Sequence, residues 1–103
     1  MSNIIYKLKA KVNPLENTLV YIGSTKQGAN IRLSKHKYDY KRYLNKKYHN
    51  ISSFKLFETY GIDGVNIEVI EQLDNDNKIE LLNKEKHYIN TIECVNIYNK
   101  LIN

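Results

Sequence analysis

Among 103 residues the chain has one cysteine, one proline, four glycines and no tryptophan. With Cys94 as its sole thiol, it can form neither an intrachain disulfide nor a cysteine-based zinc site, which suits a reducing compartment. His49 and His87 do not stand at metal-ligand spacing with each other or with Cys94. No apolar run approaches the ~20 residues of a membrane-spanning helix. A strand pattern begins almost at once, so no signal peptide is visible. The expectation is an intracellular protein, of cytoplasm or nucleus, with no membrane partner. Breakers are too few and too scattered to mark a linker, and no repeat or second domain is visible, so residues 1–103 read as one domain. Two phosphate and nucleophile motifs are also missing. Gly23-Ser-Thr-Lys-Gln-Gly28 lacks the P-loop pattern, and there is no Gly-x-Ser-x-Gly elbow.

What is present is basic charge, unevenly spread. The net charge is +5. Residues 1–50 hold eleven Lys/Arg against two acids, Glu16 and Asp39, a net of +9; residues 51–103 hold five against nine, a net of −4. A basic half against an acidic half suits one face for a polyanion, and equally a solvated lysine-rich face.

Hydrophobic periodicity orders the elements as β-β-α-α-β-α. Asn3 to Val12 alternates, with Ile4, Tyr6, Leu8, Ala10 and Val12 on one face and Lys7, Lys9 and Lys11 on the other, as in a half-buried strand. Asn13–Asn17, around Pro14, reads as a loop, and Leu19 to Gly23 as the second arm of an antiparallel hairpin. Asn30 can cap a helix running to Leu44. On that helix Arg32, His36, Tyr40 and Tyr43 share one face. Ser52 or Ser53 can cap a shorter helix ending at Tyr60 before Gly61. Val65 to Val69 alternates as a third strand. Asn77 with Glu80 resembles a capping box for a last helix over Lys78–Asn90. The fold class expected is α+β: a small, largely antiparallel three-stranded sheet flanked by helices.

Some residues do not read as plain core. Glu85 falls inside the apolar stripe of the last helix (Leu81, Leu82, Tyr88, Ile89, Ile92), where a carboxylate needs a cation, a basic side chain or a metal, unless it lies at the stripe's margin and reaches water. The guanidinium of Arg32 matches phosphate oxygens, and His36 one turn on can carry a proton. Tyr6 and Tyr21 are either core tyrosines or phenols that orient or deprotonate a water. The second role needs nearby cations, because a free phenol has a pKa near ~10; Lys26, Arg32, Lys35 and His36 are candidates. Lys41, Arg42, Lys46, Lys47 and Lys55, interleaved with Tyr40, Tyr43 and Tyr48, read as a backbone-contacting stripe with stacking platforms, or as a solvated helix with its rings turned inward.

Singly these signals are ambiguous. In order, the set resembles the GIY-YIG nuclease family over about Ile4 to Lys100. Ile4-Ile5-Tyr6 is similar to the first tripeptide, with Ile4 in place of Gly, and Tyr21-Ile22-Gly23 is the second. The resemblance implies that Arg32 binds the scissile phosphate, that Glu85 holds one Mg²⁺ or Mn²⁺, and that Asn99 supports the site. It implies His36 at a position that is His or Tyr in relatives, with His49 standing where some members carry a further histidine. Tyr6 would be the general base and Tyr21 would orient the water, or the two roles would be exchanged. The partner implied is DNA, nicked or branched DNA included, with Lys26, Lys35, Lys41, Arg42, Lys46 and Lys47 on its backbone. With no separate DNA-reading domain, targeting through a partner protein or self-association is expected. The alternative is a silent module of this type that binds nucleic acid without cutting it, to which Ile4 points. The Tyr6–Tyr21 interval is longer than is usual in the family. Both phenols share a face only if paired residue numbers sum to an odd value, as in a Val12–Leu19 pairing.

Overall fold

The computed structural model describes residues 3–12 and 18–96. The elements are β1 (Asn3–Ala10), β2 (Tyr21–Thr25), α1 (Ala29–Leu44), α2 (Phe54–Tyr60), β3 (Val65–Leu73) and α3 (Lys78–Thr91). The strands form one antiparallel sheet in the order β2-β1-β3, so the fold is α+β with the expected element order. Among the described residues no helix is long and apolar enough to cross a membrane.

The sheet is covered on both faces. On one, Tyr6, Leu8 and Val65 pack against Tyr40 of α1 and Phe54, Leu56 and Phe57 of α2. On the other, Ile5, Ile22 and Leu73 pack against Leu81 and Ile89 of α3. Each fully buried large apolar side chain contributes about 1.5–3 kcal/mol. β1 is therefore half-buried only beyond Tyr6, where Lys7 and Lys9 pair with Glu68 at 3.6 and 2.7 Å; from Asn3 to Tyr6 every residue is buried.

Several boundaries differ from the sequence expectation. β1 stops at Ala10, and Val12 is 81% exposed. Tyr21-Ile22-Gly23 opens β2 instead of ending it, since pairing runs from Leu8↔Tyr21 to Ile4↔Thr25. Those pairs sum to 29, an odd value as required, but two less than the Val12–Leu19 pairing gives. Tyr6 and Tyr21 consequently share a face. β3 continues to Leu73 through an irregularity beside Tyr6, where Ile5 pairs with Glu71 and Tyr6 with Val69, leaving Ile70 as the extra residue of a bulge. α1 starts at Ala29 after Gly28, so Asn30 lies inside the helix and does not cap it. Asn77 does cap α3, accepting from the Glu80 amide at 3.1 Å. Leu82 is 47% exposed and leaves the α3 stripe. The Asn13–Asn17 loop lies outside the described residues.

Candidate active site

The cross-strand pair Tyr6↔Gly23 is the base of the site. A Cβ on Gly23 would lie 2.5 Å from Tyr6 Cζ and closer still to its hydroxyl, so the glycine leaves the space the phenol fills. The hydroxyl is held from two sides by α1. Arg32 Nε donates to it at 3.2 Å, and it lies 2.7 Å from His36 Nε2. His36 Nδ1 in turn lies 3.1 Å from Ser53 Oγ, at the start of α2. Tyr21 closes the cluster, its ring centroid 6.5 Å from Tyr6 and 5.5 Å from His36. Among the described residues the Tyr21 hydroxyl has no hydrogen-bond partner, and Tyr21 is only half-buried.

Glu85 arrives from α3 in the opposite layer, and Ser24 Oγ donates to its Oε1. Glu85 is half-buried. Burial raises its carboxyl above the usual range, against the opposing pull of the Ser24 hydroxyl and the Arg32 charge. Its own charge reaches the site, because it raises both phenols.

The protonation pattern differs from the expectation that cations would acidify a phenol. Burial raises Tyr6 above 10.0, outweighing the opposing effect of Arg32. Tyr21 is raised too, by burial first and then by Tyr6 and Glu85. His36 is no cation: burial, Arg32 and Lys35 lower it to about 3. Tyr6 has no accessible surface and His36 is 2% exposed, so desolvation dominates both.

Arg32 is the unusual cation. It is half-buried, it touches Tyr6 through Nε, and among the described residues neither terminal nitrogen has a hydrogen-bond partner and no carboxylate pairs with it. A guanidinium anchored at one end with its fork unspent is suited to an anion's oxygens.

No three of the His, Cys, Asp and Glu side chains cluster among the described residues. One carboxylate, with Oε2 unbonded among those residues, fits only a hard cation that keeps most of its shell as water and substrate oxygens. Mg²⁺ is such an ion.

The basic residues divide. Lys26 is exposed in the β2–α1 turn, at a cavity of about 250 Å³ that Ile4, Gly28 and Val69 also line. Lys35 is exposed one residue before His36 and reaches Asp39 at 3.6 Å. Lys41, Lys46 and Lys47 are exposed at the far end of α1. Arg42 is partly spent there: its guanidinium lies 5.8 Å from the Tyr38 ring and 5.1 Å from the Tyr48 ring, and Nη2 donates to Lys47 O. Tyr40 and Tyr43 are not stacking platforms. They pack on Phe54 at 5.4 and 5.1 Å, and so clamp α1 to α2. His49 is exposed and stacks on Tyr48, at the end of the domain's basic stripe and not in the cluster.

Asn99 lies outside the described residues. Asn96 was not singled out by sequence, yet it is 2% exposed and its amide bonds both the N–H and the C=O of Ile22, at 2.9 and 2.7 Å. It serves as a one-residue strand on the free edge of β2, next to the Val95 N to Val20 O bond. Ser24 and Ser53 were missed as well. A serine carries no signal until its neighbours in space are known, although Ser24 directly follows Tyr-Ile-Gly.

No family model, curated protein or solved structure matches this chain.

Proposed function

We propose that this chain is a metal-dependent endonuclease of the GIY-YIG type, hydrolysing phosphodiester bonds in DNA. Arg32 is the observation that carries this reading. It is a half-buried guanidinium with no carboxylate partner among the described residues, anchored to a phenol that is itself bonded to a neutral histidine. A guanidinium fixed at one end with its fork unspent among the described residues is suited to an anion's oxygens.

In this reading Arg32 takes the scissile phosphate through its free terminal nitrogens and stabilises the charge that gathers in the transition state. A water gives its proton to the Tyr6 oxygen while the phenol proton passes to His36 Nε2. The water oxygen bonds to phosphorus as the bond from phosphorus to the 3′ oxygen breaks. The 3′ oxygen takes a proton from solvent, and the imidazolium gives its extra proton back to Tyr6 as the phenol releases one to solvent, which restores neutral His36. Because the free phenol is raised, it is not a standing phenolate, and the two transfers go together. Bound phosphate offsets the Arg32 charge, one of the causes that hold His36 low, and so makes His36 a better acceptor in the complex. Tyr21, whose hydroxyl has no hydrogen-bond partner among the described residues, orients the water or a phosphate oxygen. Glu85 would hold one Mg²⁺ or Mn²⁺, which when bound supplies Lewis-acid stabilisation to the phosphate and leaving oxygens. Lys26, Lys35, Lys41, Lys46 and Lys47 line the DNA backbone. They position without specifying, so nicked or branched substrates, or a targeting partner, supply selectivity.

One observation favours a second reading, a module that binds DNA without cutting it: Tyr6 has no accessible surface. In the free protein its oxygen has no contact with solvent. The test is a panel of labelled DNAs (linear, nicked, branched, single-stranded) with Mg²⁺, Mn²⁺ or EDTA. Metal-dependent products support the nuclease; salt-sensitive binding with intact DNA supports the silent module.

A further inference from the structure

A hydrogen-bonded chain runs through the buried interior from α1 across β1 to α2. It links Arg32 Nε, the Tyr6 hydroxyl, His36 Nε2, His36 Nδ1 and Ser53 Oγ at 3.2, 2.7 and 3.1 Å. Tyr6 and Ser53 have no accessible surface and His36 has 2%. The last member is the unassigned one. Ser53 stands at the cap position of α2, where serine ordinarily bonds a free helix amide. Here its backbone is already helical, at φ −63 and ψ −22, and its side chain makes no capping bond. The only side-chain partner it has among the described residues is His36.

The ring protons follow from the network. If His36 carried its proton on Nε2, that N–H would donate to the Tyr6 oxygen, which already accepts from Arg32. The phenol's own proton would then have no acceptor among the described residues, in a residue with no accessible surface. With the proton on Nδ1, Arg32 donates to Tyr6, Tyr6 donates to Nε2, and Nδ1–H donates to Ser53, whose own hydroxyl proton is then the one without an acceptor among the described residues. The distances separate the two cases, since 2.7 Å at Nε2 is that of a hydroxyl donor and 3.1 Å at Nδ1 that of a ring N–H donor. His36 is neutral, so one nitrogen is necessarily bare. The distance across the two helices is fixed by packing, since Tyr40 and Tyr43 of α1 both lie against Phe54, the residue after Ser53.

We propose that Ser53 is a positioning residue: its hydroxyl holds His36 in the Nδ1–H form, leaving Nε2 bare to take the Tyr6 proton during phosphodiester hydrolysis. The catalytic part of this assignment rests on the nuclease reading; the tautomer does not.

The test therefore has two arms. The first uses ¹⁵N-histidine-labelled protein without metal or DNA. Long-range ¹H–¹⁵N spectra report which ring nitrogen is protonated, and His36→Gln identifies the signal among the three histidines. Wild type and Ser53→Thr are expected to carry the proton on Nδ1, and Ser53→Ala to shift it to Nε2. An Nε2 proton in wild type, or an unchanged Nδ1 proton in Ser53→Ala, overturns the proposal. The second arm measures cleavage of the best substrate. Ser53→Ala is expected to lose kcat on the order of 10²-fold with KM unchanged, and Ser53→Thr to recover most of it. Equal rates in wild type and a folded Ser53→Ala overturn the catalytic role. If wild type cuts nothing, the nuclease reading has failed and with it the catalytic role, while the spectra still decide what Ser53 does to His36.

Discussion

The Tyr6 phenol fills the space that a side chain on its cross-strand partner Gly23 would occupy. Two residues seventeen apart in sequence thus share one volume, and the glycine's use is to let the ring lie between β2 and α1 within reach of Arg32 and His36. Gly23→Ala is expected to push the phenol away from His36. Overpacking of this kind costs about 1–3 kcal/mol. The larger effect falls on cleavage, expected to drop on the order of 10²-fold. Denaturation and rate measurements on the same variant separate the two. A Gly23→Ala protein that cleaves as well as wild type would show that the close approach has no catalytic purpose.

His36 makes stability depend on pH. Its ordinary value of 6.5 is lowered to about 3 in the fold. The unfolded chain therefore binds a proton below 6.5 that the folded chain refuses, and stability falls as pH drops from about 6.5 toward about 3. The slope from this one group approaches about 1.4 kcal/mol per pH unit. Glu85, raised in the fold, acts in the opposite direction, losing its contribution as pH climbs above 4.5. Urea denaturation at several pH values, with His36→Gln alongside wild type, is expected to show a flatter acid limb in the variant. Parallel curves would contradict the burial of a neutral imidazole.

Asn96→Ala is expected to loosen β2. Both polar backbone groups of Ile22 would lose their partner in a buried position, and each buried unsatisfied group costs about 1–3 kcal/mol. The thermal midpoint should fall clearly, and the Tyr21–Gly23 amides should exchange faster with solvent. A midpoint unchanged from wild type would mean that other groups take over the β2 edge.

The exposed lysines and Arg42 should separate in DNA binding. Lys41→Ala combined with Lys47→Ala is expected to reduce affinity and flatten its salt dependence, by about 0.9 in log–log slope for each duplex phosphate no longer neutralised. Arg42→Ala should lower stability as well as binding, since its guanidinium joins Tyr38, Tyr48 and Lys47 O. Fluorescence anisotropy in EDTA at several salt concentrations checks this without cleavage.

The element order was legible because alternation and helical spacing are strong local signals. The side-chain set Tyr6, Tyr21, Arg32, His36 and Glu85 was legible as an ordered pattern. What escaped reading is non-local. The end of β1 depends on which residues β2 offers for pairing. The burial of Ile5 depends on α3, which lies more than seventy positions away. The inward turn of Tyr40 and Tyr43 depends on Phe54. The raised phenols and lowered His36 depend on desolvation, which periodicity does not report. Ser24, Ser53 and Asn96 are small polar residues whose roles exist only through their bonds to Glu85, His36 and Ile22.

The most direct measurement compares wild type, Tyr6→Phe and Glu85→Gln on the DNA that wild type binds best. Binding is read in EDTA and cleavage in Mg²⁺ on the same folded samples. The account predicts that all three proteins bind that DNA and that only wild type cuts it at an appreciable, metal-dependent rate. Cleavage undiminished in both variants, or none by a wild type that binds, would contradict it.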